Sequence, residues 1–207
     1  NNVFIICVGT PVVNNKINLV SVKNAIKKIA PLIKYGSLVV MRSTIPLGSS
    51  REIFIPMIEK ISKLKCGIDW HYTFAPERAV TGKSLEELNT VPQIIGSFSD
   101  QCSRIAKEYF SHSSLSILTA DKIEEAELSK LICNTYRNVT FSFSNEVADI
   151  CTKYNINAHN LINLSNEGYP RGGIPTPSPG VGGTCLTKDP SIYSLISLSK
   201  KYEVDLF

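Results

Sequence analysis

Residues 121 to about 154 contain neither glycine nor proline, and as one unbroken helix they would run about 50 Å. A stretch of that length without a breaker divides the chain, because the residues ahead of it follow a different pattern. Val3 to Val8 is an apolar run rich in β-branched residues that ends at Gly9-Thr-Pro11, which predicts a buried strand entering a turn. From Ser21, apolar residues at 22, 25, 26, 29, 32 and 33 recur at helical spacing. A second buried strand is expected over Ser37–Arg42, a helix over about 49–62, strands near 71–75 and 92–96, a helix near 99–110 and a strand near 114–118. Strands alternating with helices imply an α/β layer with a largely parallel sheet. Downstream of the long helix, a shorter helix from about 158, a Pro/Gly-rich passage from Gly168 to Gly183 and a helix beginning near Asp189 are expected.

With 207 residues, 43% of them hydrophobic and 19% charged, the chain can build a real core as one large or two small domains. Its longest apolar runs fall far short of the roughly 20 residues that cross a bilayer, and Asn1 onward carries no export signal, so the expectation is a cytoplasmic protein without a membrane partner. The six cysteines (7, 66, 102, 133, 151, 185) form no C-x-x-C pair, which argues against a disulfide framework, and Cys7 and Cys133 read as small hydrophobes. His71, His112 and His159 stand far apart with no second ligand at metal spacing, so no metal is expected. A net charge of +4 without a basic run speaks against nucleic acid.

Four segments offer chemistry. Cys7-Val-Gly-Thr-Pro11 and Arg42-Ser-Thr-Ile-Pro46 both fall at the C-terminal ends of expected strands, where open α/β sheets bind ligands, though each is also an ordinary strand-to-loop turn. Ala75-Pro-Glu-Arg78 brings a carboxylate and a guanidinium out of a strand behind a stiffening proline, as a site or as a surface ion pair. Lys130 and Asn134, four apart, share one face of the long helix, either as paired donors or as part of a solvated face. Cys185 follows Gly180, Gly182 and Gly183 and precedes an expected helix, whose N–H groups and dipole favour a thiolate; the other reading is a buried structural thiol.

Taken in order, these segments resemble the nucleotide-sugar dehydrogenases of the UDP-glucose/GDP-mannose family. The resemblance rests on Phe4-Ile-Ile-Cys-Val-Gly-Thr-Pro11, Val40-Met-Arg-Ser-Thr-Ile-Pro46, Ala75-Pro-Glu-Arg78 with Gly82-Lys83 and Pro92-Gln-Ile-Ile-Gly96, Ala126-Glu-Leu-Ser-Lys-Leu-Ile-Cys-Asn-Thr-Tyr136, Ser144-Asn-Glu146 and Pro179-Gly-Val-Gly-Gly-Thr-Cys-Leu-Thr-Lys-Asp189. It implies the C-terminal half of a Rossmann-like NAD-binding domain over 1–118 and an all-α central domain with one long helix over 119–207. No G-x-G-x-x-G follows a strand, so the chain is expected to start in mid-domain and to lack the family's C-terminal UDP-binding domain, and by itself to be inactive.

Residue by residue, the resemblance implies that Cys185 is the nucleophile of a four-electron oxidation, in which an aldehyde becomes a thiohemiacetal and then a thioester. Lys130 and Asn134 would be oxyanion donors, Asp189 and Glu77 would handle protons, and Thr44 would help to place water. Val8, Gly9, Thr10, Pro11, Ser43 and Thr44 would face NAD. Glu77, Arg78, Lys130, Asn134, Arg171, Gly180, Gly182 and Gly183 would face a UDP-sugar, with Arg171 acting across a homodimer built on the long helix. Thr184 stands where the family often has histidine, tyrosine or serine. Thr81 stands where UDP-glucose enzymes often carry a second glutamate, so this chain is more similar to enzymes of UDP-N-acetylhexosamines, UDP-N-acetylmannosamine in particular, than to UDP-glucose 6-dehydrogenases. A β-hydroxyacid dehydrogenase would share Lys130 and Asn134 but needs no cysteine. A non-catalytic oligomerisation module would need only the long helix.

Overall fold

The computed structural model describes residues 2–13, 16–79, 87, 90–113, 116–178 and 184–198, with main chain alone at 16, 184, 185, 197 and 198. The chain divides into two compact units, Asn1–Lys130 and Leu131–Phe207.

In the first unit, β1 (Val3–Ile6) leads into a hairpin of two short strands, β2 (Val12–Val13) and β3 (Lys16–Ile17), which the sequence pattern did not announce. Helix α1 (Val20–Ile29) buries Val22 and Ile26, one turn apart, and sets Lys27 and Lys28 in its last turn, where the helix dipole favours cations. Strand β4 (Leu38–Met41) is buried at every position. Its alternate residues serve two cores: Val39 and Met41 pack with Phe54, Trp70, Tyr72 and Phe74, whereas Leu38 and Val40 pack with Ile95, Ala106 and Phe110. The helix expected over 49–62 opens instead as a π-helical turn, Ser50–Phe54, before α2 (Ile55–Ser62), whose second residue is Pro56.

Strand β5 (His71–Phe74), strand β6 (Gln93–Ser97), helix α3 (Asp100–Ser111) and strand β7 (Ile117–Thr119) complete the layer. The sheet runs in the order β1-β4-β5-β6-β7. β1, β4 and β5 are mutually parallel and β6 is parallel to β7, but β5 and β6 are antiparallel, so the expected largely parallel sheet reverses once. β1 ends at Ile6 rather than Val8 and lies at an edge, leaving Val3 40% and Ile5 48% exposed where a buried strand was expected. Cys7 is also exposed.

Helix α4 (Ile123–Lys153) realises the uninterrupted stretch as 31 residues. Its first turns dock on β6 at Gly96, where an added Cβ would stand 2.6 Å from the Ala126 Cβ and 3.0 Å from the Ile123 Cα. Glycine is required there by that close approach. In the second unit the rest of α4 is followed by α5 (Ala158–Asn166), capped by the Asn157 side chain on Asn160 N–H at 3.0 Å, and by α6 (Thr184–Leu198). α6 begins five residues ahead of the expected Asp189 and holds Pro190 inside it. Cys133 is exposed on α4, in place of the small hydrophobe expected. Among the described residues no helix is long and apolar enough to cross a membrane.

Candidate active site

At the C-terminal ends of β1 and β4 the two loops are tied together. The Ser43 hydroxyl donates to the Val8 carbonyl at 2.7 Å, and the buried Thr10 hydroxyl donates to the Thr44 carbonyl at 2.6 Å. Between them Gly9 has nothing within 4 Å of the place a Cβ would occupy. Pro11 is exposed, and its carbonyl accepts from Asn18 N–H, closing the β2–β3 hairpin. An open backbone edge beside two hydroxyls held on parallel strand ends fits a dinucleotide ligand.

Strand β5 delivers the turn Pro76–Ala79. The Glu77 carboxylate is fully engaged: one oxygen accepts from the main-chain N–H of Arg78 and of Ala79, both at 2.9 Å, and the other pairs with Arg42. Arg42 also donates to Gln93 Oε1 at 3.2 Å and lies over the Phe110 ring, while Gln93 Nε2 donates to the Pro76 carbonyl at 3.3 Å. Arg78 reaches the Pro92 carbonyl at 3.3 Å. Partial burial pushes the Glu77 pKa up, but the Ala79 N–H, the Arg42 charge and the Arg78 N–H outweigh it and hold the group below the ordinary glutamate value. It is a carboxylate throughout the neutral range. Lys130, from α4, donates through Nζ to the Glu77 carbonyl at 2.7 Å. Glu77, Lys130 and Arg42 thus meet, with Arg78 beside them, and Gln93, which the sequence marked only as part of the Pro92–Gly96 motif and gave no role, completes the cluster.

The turn of α4 ahead of Lys130 is anchored by a residue the sequence did not single out. Glu127, 1% exposed and one turn earlier on α4, accepts from Gly48 N–H at 2.6 Å and Ser50 N–H at 3.0 Å. Gly48 adopts φ +83°, which turns the chain so that its N–H faces the carboxylate. Burial raises the Glu127 pKa, against the opposing hydrogen bonds from Ser50 and Gly48. A Glu on a long amphipathic helix carries no local sign of this, since its partners lie 77 and 79 residues away.

In the second unit, Asp189 is fully buried on α6, and its Oδ2 accepts from Asn134 Nδ2 at 2.6 Å. Its Oδ1 has no hydrogen-bond partner and lies 3.6 Å from Lys188 Nζ. One turn along α4, Asn138 Nδ2 donates to the Leu186 carbonyl at 3.0 Å. Cys185 is the second residue of α6 rather than a residue ahead of it, so its main chain belongs to the helix's first turn; its side chain, like Gly180, Gly182 and Gly183, lies outside the described residues. Arg171 stacks on Tyr169 and lines a cavity of about 520 Å³ with Tyr136, Phe143 and Glu146, whose lining includes neither Asn134 nor Asp189. The loop carrying Arg171 is pinned by Asn166, which accepts from Gly173 and Ile174 N–H, and by Ser144, which donates to the Pro175 carbonyl.

Two family models match: the NAD binding domain of the UDP-glucose/GDP-mannose dehydrogenase family over residues 1–114, and the central domain of the same family over residues 124–207. The chain belongs to the UDP-glucose/GDP-mannose dehydrogenase family. A UDP-N-acetyl-D-mannosamine dehydrogenase of Pyrococcus horikoshii is 35% identical over 97% of this chain and 47% of its own length. An NDP-N-acetyl-D-galactosaminuronic acid dehydrogenase of Ralstonia solanacearum is 34% identical over 90% of this chain and 46% of its own. The solved P. horikoshii UDP-D-ManNAc dehydrogenase superposes with a TM-score of 0.89 at 35% identity, covering 97% of this chain and 47% of that one. The chain spans about half the length of the curated relatives it matches.

Proposed function

We propose that this chain carries the catalytic core of an NAD-dependent nucleotide-sugar 6-dehydrogenase that oxidises the C6 alcohol of a UDP-N-acetylhexosamine, UDP-N-acetylmannosamine foremost, to the uronic acid. The observation that carries this reading is the buried Asp189–Asn134 pair, with one carboxylate oxygen lacking a hydrogen-bond partner, four residues along α6 from Cys185. The substrate class is drawn from the names of the relatives, and the NAD-binding family model supports the cofactor.

The dinucleotide supplies a hydride acceptor, used once for the alcohol and again, as a second molecule, for the aldehyde stage. This chain's own residues do the rest. Lys130 spends one ammonium hydrogen on the Glu77 carbonyl and keeps two. Asn134 spends one amide hydrogen on Asp189 and keeps one. In the first oxidation Asp189 takes the C6 hydroxyl proton, later passed to solvent, while these donors hold the C6 oxygen as its charge develops. The Cys185 thiolate then adds to the aldehyde carbon: a C–S bond forms, the carbonyl electron pair moves to oxygen, and that oxygen takes up a proton as a thiohemiacetal. Loss of the second hydride with that proton leaves a thioester. Asp189 takes a proton from water, which adds to the acyl carbon; the C–S bond breaks, the thiolate leaves and the acid is released.

Proton transfer falls to Asp189 in this scheme, because both oxygens of Glu77 are committed to Arg42 and the turn. Glu77 contributes its carbonyl to Lys130 and its side chain to the order of the loop. Thr44 helps to place the water, and Val8, Gly9, Thr10, Pro11 and Ser43 face the dinucleotide. Arg78, Arg171, Gly180, Gly182 and Gly183 face the sugar nucleotide. Exposed apolar residues of α4, Ile132, Tyr136, Val139, Phe143 and Ile150, recur at steps of three, four and seven, a seam suited to the same helix of a second copy.

The test is a substrate panel on the full-length protein and its Cys185→Ser variant. UDP-N-acetylmannosamine should be oxidised to its uronic acid by the parent and not by the variant. Preference for UDP-glucose would overturn the substrate assignment, and acid formation by the variant would overturn the thioester route.

A further inference from the structure

We propose that Asn138 is a positioning residue for the thiol-bearing turn of α6, and that it acts by supplying the hydrogen-bond donor which Pro190 takes away from the Leu186 carbonyl. The inference rests on Cys185 being the nucleophile.

An α-helix satisfies the carbonyl of residue i with the N–H of residue i+4. In α6 the residue four after Leu186 is Pro190, which has no N–H, and its ring crowds the carbonyl of the preceding turn. Proline is accepted without loss only in the first turn, and Pro190 is the seventh residue. The Leu186 carbonyl therefore needs a donor from outside α6, and Asn138 Nδ2 provides one at 3.0 Å in a partly buried setting. Because the acceptor is a carbonyl, the amide orientation of Asn138 is determined by chemistry.

The position of that donor ties it to the site. Asn138 follows Asn134 by one turn of α4, so two amides on one helix face grip α6 at two points, Leu186 and Asp189. The Asn134 bond holds the carboxylate; the Asn138 bond holds the turn that begins with Thr184 and Cys185. Without it, the Leu186 carbonyl must swing toward water, and the first turn swings with it. The main-chain N–H groups of that turn, whose partial positive charge favours a thiolate at Cys185, would lose their fixed relation to Asp189. Ser191 adds a local brace of the same kind within α6, its hydroxyl donating to the Thr187 carbonyl at 3.2 Å.

Pro190→Ala restores the missing N–H and makes Asn138 dispensable, so the two positions must be coupled. The experiment uses the full-length protein as parent, Asn138→Ala, Pro190→Ala and the double variant. The readouts are the rate of Cys185 alkylation by iodoacetamide as a function of pH, followed by peptide mass spectrometry, and kcat and KM for UDP-N-acetylmannosamine. Asn138→Ala should slow alkylation at neutral pH and lower kcat by about tenfold, with KM changed by no more than about twofold, and should move the alkylation profile to higher pH. In the Pro190→Ala background the same change should cost less than about threefold. Asn138→Asp, which cannot donate, should behave as the alanine variant. If Asn138→Ala fails to fold, the double variant should fold.

An equal loss in both backgrounds, no loss in either, or a double variant that is not rescued would each overturn the proposal. Its failure is separable from failure of the catalytic reading. Acid formation by Cys185→Ser removes the nucleophile's role, whereas coupling between Asn138 and Pro190 is read in alkylation without any turnover.

Discussion

Replacing Gly96 by alanine tests how Lys130 is aimed. The new Cβ would lie 2.6 Å from the Ala126 Cβ, where ordinary contact begins at 3.4 Å, and 3.0 Å from the Ile123 Cα, which is main chain and cannot rotate away. The first turns of α4 must then retreat from β6 by at least about 0.8 Å. Overpacking of this kind costs about 1–3 kcal/mol. Lys130 lies one turn past Ala126, and its bond to the Glu77 carbonyl at 2.7 Å leaves no slack for such a shift. A displacement near 1 Å of a group that holds a reacting oxygen reduces turnover by up to about a hundredfold. We expect Gly96→Ala to lower the denaturant midpoint of the full-length protein and to reduce kcat for UDP-N-acetylmannosamine by about tenfold to a hundredfold. Gly96→Ala with Ala126→Gly should recover part of both, since it removes the tighter contact and leaves the Ile123 one. A single variant with unchanged midpoint and turnover would refute the idea that close approach at Gly96 sets the position of α4.

Two further outcomes follow from the same unit. Glu127→Gln keeps one acceptor but turns an amide toward the second of the two buried N–H groups, Gly48 and Ser50. It should cost about 1–3 kcal/mol in chemical denaturation and expose the Gly48–Ser50 amides to hydrogen exchange; unchanged exchange there would sink this account of the docking. The Arg42–Glu77 clamp involves a half-exposed carboxylate, so its stability contribution is small, but its pH window is defined. With the folded pKa below the ordinary 4.5, its stabilisation is present above that value and lost as pH falls through the folded pKa. Amide protection at Arg78 and Ala79 should persist at pH 4.5 and collapse below it, and Arg42→Met should move the collapse upward; a collapse already complete near pH 6 would contradict it.

The sequence made the sheet's central strands legible through their residue types: Leu38–Met41, buried on both faces, reads as a wholly apolar run before the Ser43–Gly48 turn, and His71–Phe74 carries the aromatic and β-branched residues that favour strands, Tyr72, Thr73 and Phe74. The 31-residue helix was legible for the converse reason, the lack of any breaker. Direction and closure were not. A strand's side-chain pattern is the same whichever way it pairs, so the reversal at β6 left no trace, and the two-residue strands at Val12 and Lys16 are too short to carry a period. Residue types at the site were legible as motifs, whereas the bonds that aim them were not. Asn134 and Asp189 stand 55 residues apart, Lys130 and Glu77 53, and Glu127 reads as a surface glutamate until Gly48 and Ser50 close over it. α6 starts at Thr184, five residues ahead of the expected Asp189, and a proline inside it is tolerated because the carbonyl it leaves without an in-helix donor is satisfied from Asn138, 48 residues away.

In the proposed mechanism one site performs two oxidations through a thioester on Cys185. The most direct measurement is the stoichiometry of NADH formed per UDP-N-acetylmannosamine consumed by the full-length protein, followed by absorbance alongside product mass. Two NADH per sugar with uronic acid as the product is the predicted result. One NADH per sugar, with an aldehyde accumulating, would contradict it.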